Sequence, residues 1–155
     1  MTVKVGIIGC GGIANGKHMP ALSQVEEVEM VAFCDLLVER AVEAKSAFGT
    51  EDAQVFSDYQ EMLAQADLDV IHVCTPNASH AELTIAALEA DCHVMCEKPM
   101  AKTAAEAKAM IEAANRTGKK LTIGYQNRFR KDSRYLHEVC AEGQLGNIYF
   151  GKAHA

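Results

Sequence analysis

Gly9, Gly11 and Ala14 stand in the spacing Gly-x-Gly-x-x-Ala, directly behind the apolar run at residues 3–8, and Asp35 closes the next apolar run. Small residues at these positions each have a use. The first permits a tight turn off a strand, the second lets a pyrophosphate approach bare backbone, and the third lets a helix pack closely on the strand. Gly12 and Ile13 complete the turn. Phosphates would then sit on the unpaired N–H groups at the positive end of that helix. A carboxylate at Asp35 would accept hydrogen bonds from ribose hydroxyls and repel a 2′-phosphate, which favours NAD over NADP. Leu36 and Leu37 beside it offer no positive charge for such a phosphate. A glycine-rich turn alone serves many loops. The strand before it, the helix after it and an acid about 20 residues on are the context that a dinucleotide site requires.

Three further segments bear chemistry. Cys74-Thr75-Pro76-Asn77-Ala78-Ser79-His80 leaves one apolar run and opens a helical pattern. Pro76 stiffens that loop, and Asn77 is suited to cap the helix. Thr75, Pro76 and Asn77 are expected along the ribose and nicotinamide half of the cofactor, with His80 facing solvent. Cys96-Glu97-Lys98-Pro99-Met100 ends the next run. Lys98 offers three donors and a point charge that can polarise a hydroxyl or carbonyl exchanging hydride. Glu97 would orient Lys98 or cap a turn. In Gly124-Tyr125-Gln126-Asn127-Arg128-Phe129-Arg130, Asn127 and Arg128 are expected to reach the same cleft and Phe129 to join the core. Arg130, Lys131 and Arg134 read as a solvated helix face.

These segments need elements to hold them. Apolar runs at residues 3–8, 28–34, 54–56, 70–74, 93–96 and 120–124 read as strands. Helical patterns fill the gaps at 12–24, 38–48, 59–64, 78–89, 104–117 and 133–142. Such alternation implies right-handed crossovers and an α/β fold, a doubly wound parallel sheet covered on both faces. Ligands of open α/β sheets bind outside the carboxyl ends of the strands, where all the segments above fall. Residues 1–124 are expected to form the dinucleotide-binding domain and 125–144 a connecting helix. Residues 145–155 read as the start of a second, truncated α/β domain, with a strand over 148–155.

The chain's 155 residues, 49% hydrophobic and 23% charged, suit one soluble globular domain with a real core. A net charge of −6 argues against nucleic acid or an anionic membrane as partner. No apolar run reaches the roughly 20 residues of a membrane span. The six cysteines include no Cys-x-x-Cys pair, which suits reduced thiols in a cytoplasm. Cys92-His93-x-x-Cys96 does not match a standard zinc spacing, so no metal is expected.

Taken in order, several of these segments resemble the glucose–fructose oxidoreductase/inositol 2-dehydrogenase (Gfo/Idh/MocA) family. The carriers are the glycine turn at 9–14, His18-Met19-Pro20-Ala21-Leu22, Cys34-Asp35, Thr75-Pro76-Asn77 with His80, Glu97-Lys98-Pro99 and Tyr125-Gln126-Asn127-Arg128-Phe129. The likeness covers essentially the whole chain. It implies an N-terminal Rossmann domain for NAD or NADP, followed by an α/β domain that supplies the substrate pocket and often the oligomer interface. It further implies hydride exchange with a sugar, inositol or related polyol, a homo-oligomeric enzyme, and a lysine at position 98 near nicotinamide and substrate. His18 matches a family position at the first helix, for which a structural role is expected. The family's catalytic aspartate and histidine belong to the second domain, so this chain alone is expected to be nearly inactive. The alternative is a stand-alone, non-catalytic dinucleotide-binding or redox-sensing module.

Overall fold

The computed structural model describes residues 2–152. Six strands form one parallel sheet: β1 (Val3–Ile8), β2 (Val28–Cys34), β3 (Gln54–Phe56), β4 (Val70–Val73), β5 (His93–Cys96) and β6 (Leu121–Ile123), in the order β3-β2-β1-β4-β5-β6. Between them lie α1 (Met19–Leu22), α2 (Val38–Phe48), α3 (Tyr59–Gln65), α4 (His80–Glu89) and α5 (Ala104–Thr117). The doubly wound α/β sheet read from the sequence is the observed fold.

Alternate strand residues point to opposite faces, and the core divides accordingly. Ile8, Ala32, Cys34, Ile71 and Val94 pack on one side with Met62, Leu88 and Met110. Ile7, Phe33 and Met30 pack on the other with Met19, Ala41 and Ala44. The β1–β2 register slips by one residue between Val5 and Gly6, so Val5 pairs with Met30 but Gly6 with Ala32. β4 alternates half-buried Val70 and His72 with buried Ile71 and Val73.

Local chemistry sets the helix ends. Asp58 Oδ1 accepts the Gln60 N–H at the start of α3. At α5 a reciprocal cap forms: Thr103 Oγ1 accepts the Glu106 N–H, and Glu106 Oε2 accepts the Thr103 N–H. That helix stops at Gly118, whose φ of 70° is the left-handed conformation that glycine adopts without penalty.

Two expected elements differ. The pattern over 12–24 is not one α-helix, because Ala14–His18 is wound as a π-helix before α1 begins. The Met19 N–H donates to Ala14 O, five residues back. This brings Ala14 and Met19, both fully buried, to the sheet. Helix α4 starts at His80 rather than 78, after a 3-10 turn at Asn77–Ser79.

Residues Tyr125–Ala155 form a compact unit separate from Met1–Gly124. Within it a 3-10 turn at Gln126–Phe129 leads to α6 (Lys131–Ala141). Phe129 is exposed, contrary to its expected place in a core, because it sits in a four-residue turn rather than on a packed face. The strand expected over 148–155 is absent from the described residues 148–152, and 153–155 lie outside them. Ile148, Tyr149 and Phe150 have strand composition and are all exposed. A strand also needs a neighbouring backbone to pair its N–H and C=O groups, and the regular elements of this unit are helical.

Two outcomes test these sources of stability. Thr103→Ala should cost about 1 kcal/mol in denaturant unfolding, and Thr103→Ser should recover most of that loss. Burial, then the neighbouring His18 imidazole, holds His72 down to about 4 from an ordinary 6.5. The unfolded chain therefore takes up a proton near pH 6.5 that the folded chain refuses until about 4. The stability owed to neutral His72 is present above about 6.5 and is lost as pH falls toward 4, a loss of order 3 kcal/mol. Unfolding curves between pH 7 and 4 should show this slope, and His72→Leu should flatten it.

Candidate functional site

A cleft of about 880 Å³ opens at the carboxyl ends of β1, β2 and β4. Gly9, Gly11, Asp35, Thr75 and Pro76 line it, so the glycine turn, the acid and the Thr-Pro loop come together. Gly9 has φ 91°, and a Cβ there would stand 2.8 Å from the Cys74 carbonyl carbon and 2.9 Å from its oxygen. Backbone cannot step aside, so no other residue fits. At Gly11 and Gly12 a Cβ would meet nothing within 4 Å, which leaves the turn's backbone open to an approaching group.

Asp35 holds the turn in shape. Its Oδ2 accepts the Cys10 N–H at 2.9 Å and its Oδ1 accepts the Leu37 N–H at 2.9 Å. An ionised carboxylate has about four acceptor positions, so capacity remains for hydroxyls of a ligand. Ala14 is fully buried beneath the turn, while Gly12 and Ile13 are exposed on its first helical residues. These parts fit a dinucleotide: bare backbone for the pyrophosphate and free acceptor positions for a ribose.

Asn77 does not cap α4. Its side chain is exposed, and neither the 3-10 turn nor α4 has a side-chain cap bond. Ser79 closes the loop instead, donating from Oγ to Thr75 Oγ1 at 2.8 Å. Nor does His80 face solvent: it is 1% exposed. Its Nε2 lies 2.8 Å from Thr75 O and its Nδ1 2.8 Å from Pro99 O. One imidazole thus ties the Thr-Pro loop to the Lys-Pro segment. The sequence pattern does not reveal this, because a histidine at a helix start gives no local sign of what lies behind it.

Glu97 is buried at the end of β5, and Lys98 beside it is exposed. Glu97 Oε1 is 2.8 Å from His18 Nε2, and Oε2 accepts the Lys98 N–H at 3.1 Å. His18 Nδ1 is in turn 3.0 Å from His72 Nδ1. Asn127 and Arg128 lie in the second compact unit, on its exposed 3-10 turn.

Arg40, an exposed residue in the first turn of α2, also lines the cleft. The cleft therefore carries a positive charge that Leu36 and Leu37 do not reveal. The signal available in the sequence was the helical spacing that brings the third residue of α2 back over the strand end.

The cysteines near the strand ends are not poised for thiol chemistry. Burial pushes Cys10 and Cys34 up to about 12, and Cys74 higher still. Such thiols are protonated at neutral pH and poorly nucleophilic. Among the described residues no group of three or more His, Cys, Asp or Glu could hold a metal ion, and no helix is long and apolar enough to cross a membrane.

A model of the GFO_IDH_MocA oxidoreductase family, NAD-binding Rossmann fold, matches residues 3–125. D-glucoside 3-dehydrogenase of Escherichia coli (strain K12) is 40% identical over 153 residues, 99% of this chain and 43% of its own. Inositol 2-dehydrogenase of Salmonella typhimurium is 35% identical over 147 residues, 94% of this chain and 44% of its own. Among solved structures, the WlbA dehydrogenase from Bordetella pertussis, crystallised with NADH and UDP-GlcNAcA, superposes with a TM-score of 0.88 at 31% identity. That match covers 96% of this chain and 45% of WlbA. The chain spans less than half the length of each of these three proteins. By its motifs, its sheet and the family model matched over most of its length, the chain belongs to the Gfo/Idh/MocA oxidoreductases and comprises their NAD-binding Rossmann domain.

Proposed function

We propose that this chain is the cofactor-binding part of an NAD-dependent dehydrogenase that oxidises or reduces a sugar, inositol or related polyol at one carbinol carbon. The observation that carries the reading is the meeting of Asp35, the Gly9–Gly11 turn and the Thr75-Pro76 loop in one cleft at the reversal of strand order. The roles divide along the cofactor. The backbone at Gly11 and Gly12 receives the pyrophosphate, and Asp35 accepts the adenosine-ribose hydroxyls. Thr75, Pro76 and Asn77 border the nicotinamide half.

The nicotinamide ring, when bound, supplies hydride transfer at C4. This chain orients that ring and places charge near the reacting carbon. Lys98 supplies the charge, its ammonium stabilising negative charge on the substrate oxygen as the hydroxyl proton departs. The base that takes the proton belongs, on this reading, to a following domain, as does the pocket that selects the substrate. Residues 1–155 alone are then a binding unit with little turnover, in a protein expected to be cytoplasmic and homo-oligomeric.

Calorimetric titration tests the cofactor reading. The chain should bind NADH more tightly than NADPH. Asp35→Ser should weaken NADH binding by roughly 10- to 100-fold, the worth of a charge-assisted hydrogen bond. It should also level the preference, because the carboxylate that repels a 2′-phosphate is then gone while Arg40 still lines the cleft. Equal binding of both nucleotides by the unaltered chain would refute the role given to Asp35. In a protein carrying the following domain, Lys98→Met should lower kcat by about 100- to 1000-fold in steady-state assays.

A further inference from the structure

We infer that His18, backed by His72, is a positioning residue that fixes Glu97 and thereby Lys98 to the helix of the pyrophosphate turn. The inference deepens the proposed function, since it takes Lys98 as the group at the reacting end.

The helix behind the glycine turn ends its π-wound stretch at His18. π turns interrupt a regular helix at a cost and are frequent at functional sites. Here the stretch delivers an imidazole to the carboxyl end of β5, two strands from β1 in the sheet. His18 Nε2–H donates to Glu97 Oε1 at 2.8 Å, and the two side chains are only 8% and 11% exposed. The carboxylate's other oxygen accepts the Lys98 backbone N–H at 3.1 Å. Gly124 closes the third side: a Cβ there would be 3.0 Å from Glu97 Oε1. On the far side His72 meets His18 edge-on, with ring planes at 90° and Nδ1 atoms 3.0 Å apart. Burial keeps His72 neutral near pH 7, so it can take either hydrogen-bonding role toward His18.

Stability alone does not call for this arrangement. Burying a carboxylate and an imidazole costs desolvation, and a well-packed apolar pair often serves a core as well or better. What the chain of contacts adds is direction. It runs from the segment that seats the pyrophosphate to the backbone N–H of Lys98, so that the two loops share one geometry.

The test uses the ¹⁵N-labelled chain with the variants His18→Gln and His18→Leu. Glutamine keeps an N–H able to reach Glu97; leucine keeps the volume and loses the donor. In His18→Leu the Lys98 amide signal should move without cofactor. Added NADH should then shift the Gly11 and Gly12 amides but not Lys98, with affinity reduced about tenfold, within the usual range of coupling between sites. His18→Gln should restore the Lys98 response and most of the affinity. A Lys98 amide unmoved in His18→Leu, or a glutamine variant as impaired as the leucine one, overturns the inference. Should His18→Leu fail to fold, His72→Val cuts the chain of contacts at its far end and is judged by the same Lys98 signal. If NADH moves no amide of the unaltered chain, the cofactor reading falls. The cofactor-free Lys98 comparison still decides this one.

Discussion

The structure depends on one topological constraint, the reversal of strand order at β1. Strands β2 and β3 build outward on one side of it and β4 to β6 on the other, all parallel. The crossovers after β1 and β4 therefore leave in opposite directions and open a crevice between their carboxyl ends. Helices that start there turn their orphan N–H groups toward it. Gly9, Gly11, Asp35, Thr75, Glu97 and Lys98 all lie within a few positions of such a strand end. The cleft is thus a consequence of how the sheet is wound, and loop residues only shape it.

Loops at a crevice must still be held, and side-chain hydrogen bonds hold them. Asp35 gathers the N–H groups of Cys10 and Leu37, across the first and second strand ends. His80 joins the carbonyls of Thr75 and Pro99, across the fourth and fifth. Glu97, with His18, links the fifth to the helix behind the first. Polar groups buried this way must be satisfied, so each tie is costly to break and narrows the shapes the loops can take. Four side chains thereby turn separate βα loops into one connected rim.

Much of this was legible in the chain. Apolar runs broken by helical spacing mark all six strands of the sheet, because a parallel sheet buried on both faces writes itself as short hydrophobic stretches. Gly9 was legible for a local reason, since the tight turn off β1 needs its φ of 91°. What stayed hidden depends on contacts between residues far apart in sequence. His80 has the look of a solvent-facing helical residue, yet its partners are Thr75 and Pro99. The bond from His18 to Glu97 spans 79 positions. Asn77 reads as a cap because cap propensity is local, whereas the neighbouring Ser79 hydroxyl holds the loop through Thr75. The strand expected after residue 147 is missing over 148–152 for the opposite reason: its composition is right, and among the described residues of its own unit no strand adjoins it.

The disposition of Glu97 and Lys98 shows how such ties bear on chemistry. An acid next to a lysine would ordinarily offer the ammonium a partner and cancel its charge locally. Here the Glu97 carboxylate faces inward, and its oxygens are engaged by the His18 ring and the Lys98 backbone N–H. Among the described residues the Lys98 ammonium makes no ion pair. It stands exposed at the strand end with its positive charge uncompensated. On the role proposed for Lys98, a cation kept available, on a backbone fixed by its own neighbour, would serve a developing alkoxide: the charge is in place before the reaction and need not be rearranged during it. Were Glu97 turned outward to pair with Lys98, the same two residues would give a neutral surface pair of little worth. On the same proposal, the histidines behind Glu97 matter less for their own charge than for keeping a carboxylate away from a lysine.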